Sequence, residues 1–223
     1  KDVSGGGDQI VYCRLPRGAT ACASTQTFTP DGIESFGGVR VLAPADGRVL
    51  LIFYRCCGGP TEGTNLIEST DGGTTFGAPR RIGTLEPYQA VLGPGDQTVS
   101  LTNHIVTNGI DYQAAPLAGG SPGHADVGLG VGQVSSNEAQ DQYGSTAFVD
   151  AQTPIVGFGN GKRVFVRTWG GSGDYNDLGT WGPTQDVAAG AEPKLVSGPR
   201  GVHLMYQTDD PGNESYVVRP RLA

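Results

Sequence analysis

The chain has 223 residues, 37 of them glycine and 15 proline, and a formal net charge of −7. That length suits one large domain or two small ones. The acidity, with no basic patch interleaved with aromatics, excludes nucleic acid as a partner. No apolar run approaches the roughly 20 residues of a membrane span.

High glycine and proline content can signal disorder. Here the glycines punctuate short apolar runs such as "VLLIFY" and "RVFVR", which reads as turns between strands. No stretch of a dozen residues has a helical pattern. "SSNEAQDQ" (135–142) is too short and too polar. The chain begins Lys-Asp-Val, which suggests a processed product or an excised domain.

In chain order, the first unit spans 10–38. "YCRLPRGATAC" places Cys13 and Cys22 on two strand-like ends around "RLPRGAT". A hairpin would bring those ends within bridging distance. The second unit, 39–83, opens with "VRVLAPADGRVLLIFYR": an apolar strand, a turn, and a second strand. "TNLIEST" follows as a third strand and "PRRIG" as a short fourth. Between strands two and three lies "CCGGP", with adjacent Cys56 and Cys57.

Three further units repeat this plan. The unit 88–133 contains "YQAVLGPGDQTVSLTNH" and "IDYQAAPL". The unit 144–187 contains "TAFVDAQTPIVGFGNG", "RVFVRTW" and "PTQDV". The unit 192–222 contains "PKLVSGPRGVHLMYQ" and "SYVVRPRL", and stops after its third strand. Four antiparallel strands per repeat of about 40 to 50 residues is the arithmetic of a β-propeller blade. A β-sandwich would show similar strands without that period. The expectation is therefore an all-β chain, a single propeller domain over 1–223 built of about five blade-like units, complete or part of a larger propeller.

Four cysteines allow three pairings, and 13–22 with 56–57 is the preferred one. Adjacent cysteines close only a strained ring or bond elsewhere. Zinc ligation is the rival, but neither pair has a histidine or cysteine at zinc spacing. Disulfides imply an oxidising compartment, hence secretion.

The octet "STDGGTTF" (69–76) falls between a third and a fourth strand. Ser69, Asp71, Gly73, Thr75 and Phe76 fit the pattern S-x-D-x-G-x-T-[WF]. "SGDYNDLGTW" fits it with an insertion through Ser172, Asp174, Gly179, Thr180 and Trp181, and "TPDGIESF" (29–36) is a degenerate third candidate. This is the Asp box, or BNR repeat, and the chain resembles the sialidase (neuraminidase) superfamily of β-propellers. A short carboxylate in such a turn accepts backbone N–H groups of its own hairpin. The expected role is structural, on the periphery and away from the catalytic face.

Catalytic members of that superfamily use three arginines against a substrate carboxylate, a Tyr–Glu nucleophilic pair and an Asp acid/base. A bidentate arginine matches a carboxylate, and a tyrosine nucleophile does not repel one. The first arginine normally lies in [FY]-R-[IL]-P. "CRLP" offers Arg14, with the aromatic displaced to Tyr12. "DGRVLLIFYR" resembles the segment before the acid/base loop, with Arg55 at its end. The loop that follows has no aspartate and only Glu62. Arg167 and Arg219 read as solvated strand positions.

Propellers bind ligands on the loops joining second to third strands and fourth to next first strands. Arg55, Tyr88, His104 and Asp209, with Glu62 and Glu86, make a mixed, acidic-leaning rim there. It suits a neutral glycan or an extracellular protein surface. The histidines lack any triad or metal pattern, so no cofactor is expected. The acidic loops "GDYNDLG" and "TDDPGNE" are oxygen-rich enough for Ca²⁺ but lack EF-hand spacing. The sequence thus points to a secreted, non-catalytic binding or structural module. An exo-sialidase or related glycoside hydrolase is the alternative.

Overall fold

The structure is a computed structural model that describes residues 9–29, 39–55, 62–103, 110–120, 122–128, 144–160 and 162–208, and the backbone of the strand 215–222. A hairpin comes first, β1 (Ile10–Arg14) against β2 (Ser24–Phe28). The next sheet is a meander of β3 (Arg40–Leu42), β4 (Val49–Arg55), β5 (Gly63–Ser69) and β6 (Arg80–Arg81). A second meander follows: β7 (Gln89–Leu92), β8 (Thr98–Thr102), β9 (Asp111–Pro116) and β10 (Ala125–Asp126). The third is β11 (Ser145–Phe148), β12 (Pro154–Gly159), β13 (Arg163–Thr168) and β14 (Gln185–Ala189). The last sheet is β15 (Ala191–Gly198), β16 (Gly201–Thr208) and β17 (Ser215–Leu222). Every pairing is antiparallel.

Burial on both faces explains why the strands read as continuous apolar runs rather than as alternating ones. In "VLLIFYR", Leu50 and Ile52 pack toward the second sheet with Val99, Leu101 and Ala115. Leu51 and Phe53 point the other way, onto Ile10, Tyr12 and Phe28 of the hairpin. In β12, Val156 and Phe158 join Tyr112 of the second sheet, while Ile155 joins Leu195 and Val202 of the last. Gly157 leaves room for Leu195, whose Cδ1 would lie 3.2 Å from any Cβ placed there.

The first strands of successive sheets are neighbours along one inner edge: β3 beside β7, β7 beside β11, β11 beside β15. Side chains staple that edge. Gln89 Oε1 accepts Thr146 N at 2.6 Å, and Ser145 Oγ accepts Leu195 N at 2.8 Å. Blade-like antiparallel sheets stacked face to face around a common inner edge make this an all-β propeller fold. The two end sheets keep one face outward, where Val11 on β1 is 53% exposed and Val196 on β15 is 63% exposed.

The meander puts its turns at two ends. First-to-second and third-to-fourth turns share one end: Tyr175 Oη donates to Gln152 O at 2.9 Å, and Arg48 Nη2 donates to Asp96 O at 3.0 Å. The β4–β5, β6–β7 and β8–β9 connections start and finish at the other. Among the described residues, no helix is long and apolar enough to cross a membrane.

Candidate functional site

At the loop end of the first sheet, β4 delivers Tyr54 and Arg55, and β5 begins beside Glu62. The chain after β6 folds back along the start of β5, with Thr64 N donating to Gly83 O at 3.0 Å and Thr64 Oγ1 to Leu85 O. That return places Glu86 near Tyr54. Burial holds the Tyr54 hydroxyl proton on, and the nearby Glu62 and Glu86 carboxylates add to it against the opposing pull of Arg81. Arg81 itself donates to Gly83 O at 3.3 Å. Glu62 and Glu86 are exposed, and Tyr54 is half-buried.

Two residues on, Tyr88 reaches the inner edge. Its carbonyl accepts Arg40 Nε at 3.0 Å and Nη2 at 2.6 Å. Lys194 of the last sheet donates to its hydroxyl at 3.0 Å and sits 4.4 Å from its ring centre, a cation over an aromatic face. A register shift between Ala191 and Lys194, with Glu192 held at φ 48°, aims Lys194 there. Tyr88 therefore ties three sheets together at the same end as Tyr54.

A second polar group lies at the same end of the second sheet. Asp111 N donates to Asn103 Oδ1 at 2.8 Å, and Asn103 Nδ2 donates back to Asp111 Oδ2 at 3.3 Å. His124 Nε2 is 3.7 Å from Asp111 Oδ2. Burial, with neighbouring Asp126, raises the Asp111 carboxyl above the ordinary range, and the nearby His124 opposes the rise.

The candidate residues read from the sequence do not all meet. Arg55 and Glu62 flank one loop and share the end that carries Tyr54 and Tyr88. Arg14 lies elsewhere: the β4–β5 ladder runs from Arg55↔Gly63 at one end to Val49↔Ser69 at the other. Arg14 is two residues beyond Tyr12, whose ring packs on Phe76 in the turn after Ser69. It is at the far end of the sheet from Arg55. His104, Asp209, Cys56, Cys57 and most of the 29–36 segment lie outside the described residues, as does the side chain of Arg219. Arg167 is not on a solvated face. Its side chain turns inward, half-buried, toward Asp126, and burial lowers its affinity for its proton.

The octet turn sits at that far end. Asp71 Oδ1 accepts Thr75 N at 2.8 Å and Thr74 N at 3.0 Å, and Oδ2 accepts Thr75 Oγ1 at 2.7 Å. Ser69 Oγ donates to Asp71 Oδ1 at 2.8 Å and accepts Gly73 N at 2.8 Å. These donors, Thr75 N foremost, hold the Asp71 carboxyl far below the usual carboxylate range. Gly73 is left-handed at φ 83°, and a Cβ there would collide with Tyr12 Oη. In the turn 172–181 the work is divided. Asp174 Oδ1 accepts Asn176 N at 2.9 Å, and Asp177 Oδ1 accepts Gly179 N at 2.9 Å. Thr180 Oγ1 donates to Asp174 O at 2.7 Å, and Trp181 Nε1 to Tyr175 O at 3.0 Å. Ser172 is exposed. The bridge expected in the hairpin is present, Cys13–Cys22.

Sequence reasoning missed Tyr54, Asp177 and Lys194. Tyr54 was hidden inside an apolar strand run. Asp177 stood in the insertion of the second octet, where its place before Gly179 was the available signal. Lys194 had none, since it meets Tyr88 from 106 residues away.

No family model matches the chain, and no curated protein matches its sequence. Among solved structures it is similar to a leech intramolecular trans-sialidase complexed with 2,7-anhydro-Neu5Ac. Identity is 13% and the TM-score 0.47, covering 79% of this chain and 30% of that one. It is also similar to an α-L-arabinofuranosidase from Clostridium thermocellum ATCC 27405. Identity is again 13% and the TM-score 0.45, covering 81% of this chain and 66% of that one. Neither likeness carries the site, which rests on the residues above.

Proposed function

We propose that this chain is an extracellular, sialidase-like propeller module that binds a neutral glycan at its loop end without hydrolysing it. The observation that carries the reading is Tyr54, half-buried at the loop end with the exposed carboxylates of Glu62 and Glu86 in its neighbourhood. An aromatic face with a polar tip, flanked by acceptor-only groups, suits the ring and hydroxyls of an uncharged sugar. The same carboxylates repel an anionic one.

The arginines support a non-catalytic role. Arg40 binds Tyr88 O, Arg48 binds Asp46, Glu68 and Asp96 O, and Arg80 binds Glu68 and Leu117 O. These guanidinium groups clamp the sheets together. A phenol whose proton is held on by burial and by two acids is also a poor nucleophile. The octets 69–76 and 172–181 are read as Asp boxes that hold turns. The Cys13–Cys22 bridge fits secretion. A hydrolytic reading keeps one point in its favour, the placement of Arg55 and Glu62 on one loop.

The test is the full chain on an array of neutral and sialylated glycans. Retention on neutral glycans, lost in Tyr54→Ala and Glu86→Gln with folding intact, is expected. Binding confined to sialylated glycans, or unchanged in both variants, would overturn the reading.

A further inference from the structure

The tripeptide Pro-Arg-Gly occurs twice, at 16–18 and at 199–201. The fold treats the two copies differently. The first lies in the nine-residue loop 15–23 between β1 and β2. Every residue from 13 to 25 is exposed, and Leu15 is 57% exposed. The turn is closed by Ala19 N donating to Pro16 O at 3.0 Å. Gly18 stands at φ 79° with open space around it. Among the described residues, the Arg14 and Arg17 side chains make no hydrogen bond or ion pair. The second copy is a two-residue turn: Gly198 pairs directly with Gly201, and Pro199 and Arg200 span the reversal. Its flanking strands bury Leu195, Val202 and Leu204.

We infer that loop 15–23 is a processing site for an arginine-specific serine endoprotease, which cuts between Arg17 and Gly18 while the Cys13–Cys22 bridge holds the two pieces together. Such a protease carries a carboxylate at the base of its specificity pocket, and an exposed arginine fills it. It also needs several residues in extended form across its cleft. The first loop has slack on both sides of Arg17: Ala19 N–Pro16 O is the bond to open across the tip, while Ala23 N, donating to Arg14 O at 2.8 Å, closes the base of the loop, the situation in which exposed loop tips are nicked. The second copy has no slack. Extending Arg200 into a cleft requires unzipping β15 from β16 and exposing a core face. Elsewhere Arg40, Arg48, Arg80, Arg81 and Arg163 are fixed by their own side-chain bonds.

Cleavage adds one water across the Arg17–Gly18 amide. Arg17 gains a carboxylate and Gly18 an amine, and nothing is oxidised or reduced. The disulfide joins Cys13, on the N-terminal piece, to Cys22, on the C-terminal piece. The chain therefore stays in one covalent unit, and release of β1 also requires reduction.

The full chain is incubated with sparing trypsin under native, non-reducing conditions and followed by intact mass. The first product is expected to weigh one water more than the intact chain, and to separate on reduction into 1–17 and 18–223. Arg17→Gln should slow this first cut at least tenfold, and Arg200→Gln should leave it unchanged. A first cut at Arg200–Gly201 or elsewhere would overturn the inference. So would an uncut chain under conditions that cleave a linear peptide of residues 12–23 with serine at both cysteine positions.

Discussion

At the scale of single residues, Asp71 concentrates the chemistry of the turn at 69–76. Its folded carboxyl is held below the ordinary value of 3.8 by Thr75 and its neighbours. The unfolded chain therefore binds more protons than the folded one just below that value. The stabilisation from Asp71 is fully present above it and is lost as the pH falls through the depressed folded value. Asp71→Ala should lower the thermal midpoint at pH 7, and the gap to the parent should narrow steadily under acid. Glycan retention should be unaffected, because the turn is at the end opposite Tyr54. An unchanged midpoint at neutral pH would contradict the structural role. The octet was legible because its side chains bond within eight residues. The second octet was only half legible: its insertion gives Asp177 the cap on Gly179 that spacing alone assigned to no residue.

At the scale of elements, β4 shows why a continuous apolar run is informative. Leu50 and Ile52 serve one interface and Leu51 and Phe53 another, so no position faces water until Tyr54. Phe53 is fully buried beneath the hairpin. Phe53→Ala should destabilise by about 3–5 kcal/mol, since the cavity lies between two sheets that are each hydrogen-bonded internally and relax little. Equilibrium urea unfolding measures it. A loss below about 1 kcal/mol would mean that the hairpin does not pack on the first sheet as described. Strand runs were readable because burial on both faces leaves an unbroken apolar signature. Inward-facing polar residues were not. Arg167 reads as a solvated strand position from "VFVRTW", yet the neighbouring sheet covers it, and no local pattern reports which sheet lies opposite.

At the scale of the whole molecule, the sheets are joined by long-range contacts that a linear reading does not reveal. Lys194 over Tyr88 and Arg40 under its carbonyl bring three sheets to one point on the inner edge. The loop-end cluster likewise depends on the fold-back after β6, which brings Glu86 into the neighbourhood of Tyr54. The architecture could be inferred from the period of the strands. The site could not, since its members come from separate turns and each alone resembles an ordinary surface residue. On the proposed function, this loop end binds a neutral sugar without cleaving a glycosidic bond. The decisive measurement is release of a fluorogenic aglycone at mildly acidic pH from a panel of neutral glycosides together with a sialoside. No turnover above that of the heat-denatured protein is expected on any of them. Robust turnover that disappears in folded Arg55→Ala and Glu62→Ala variants would contradict that function and make the chain a glycoside hydrolase.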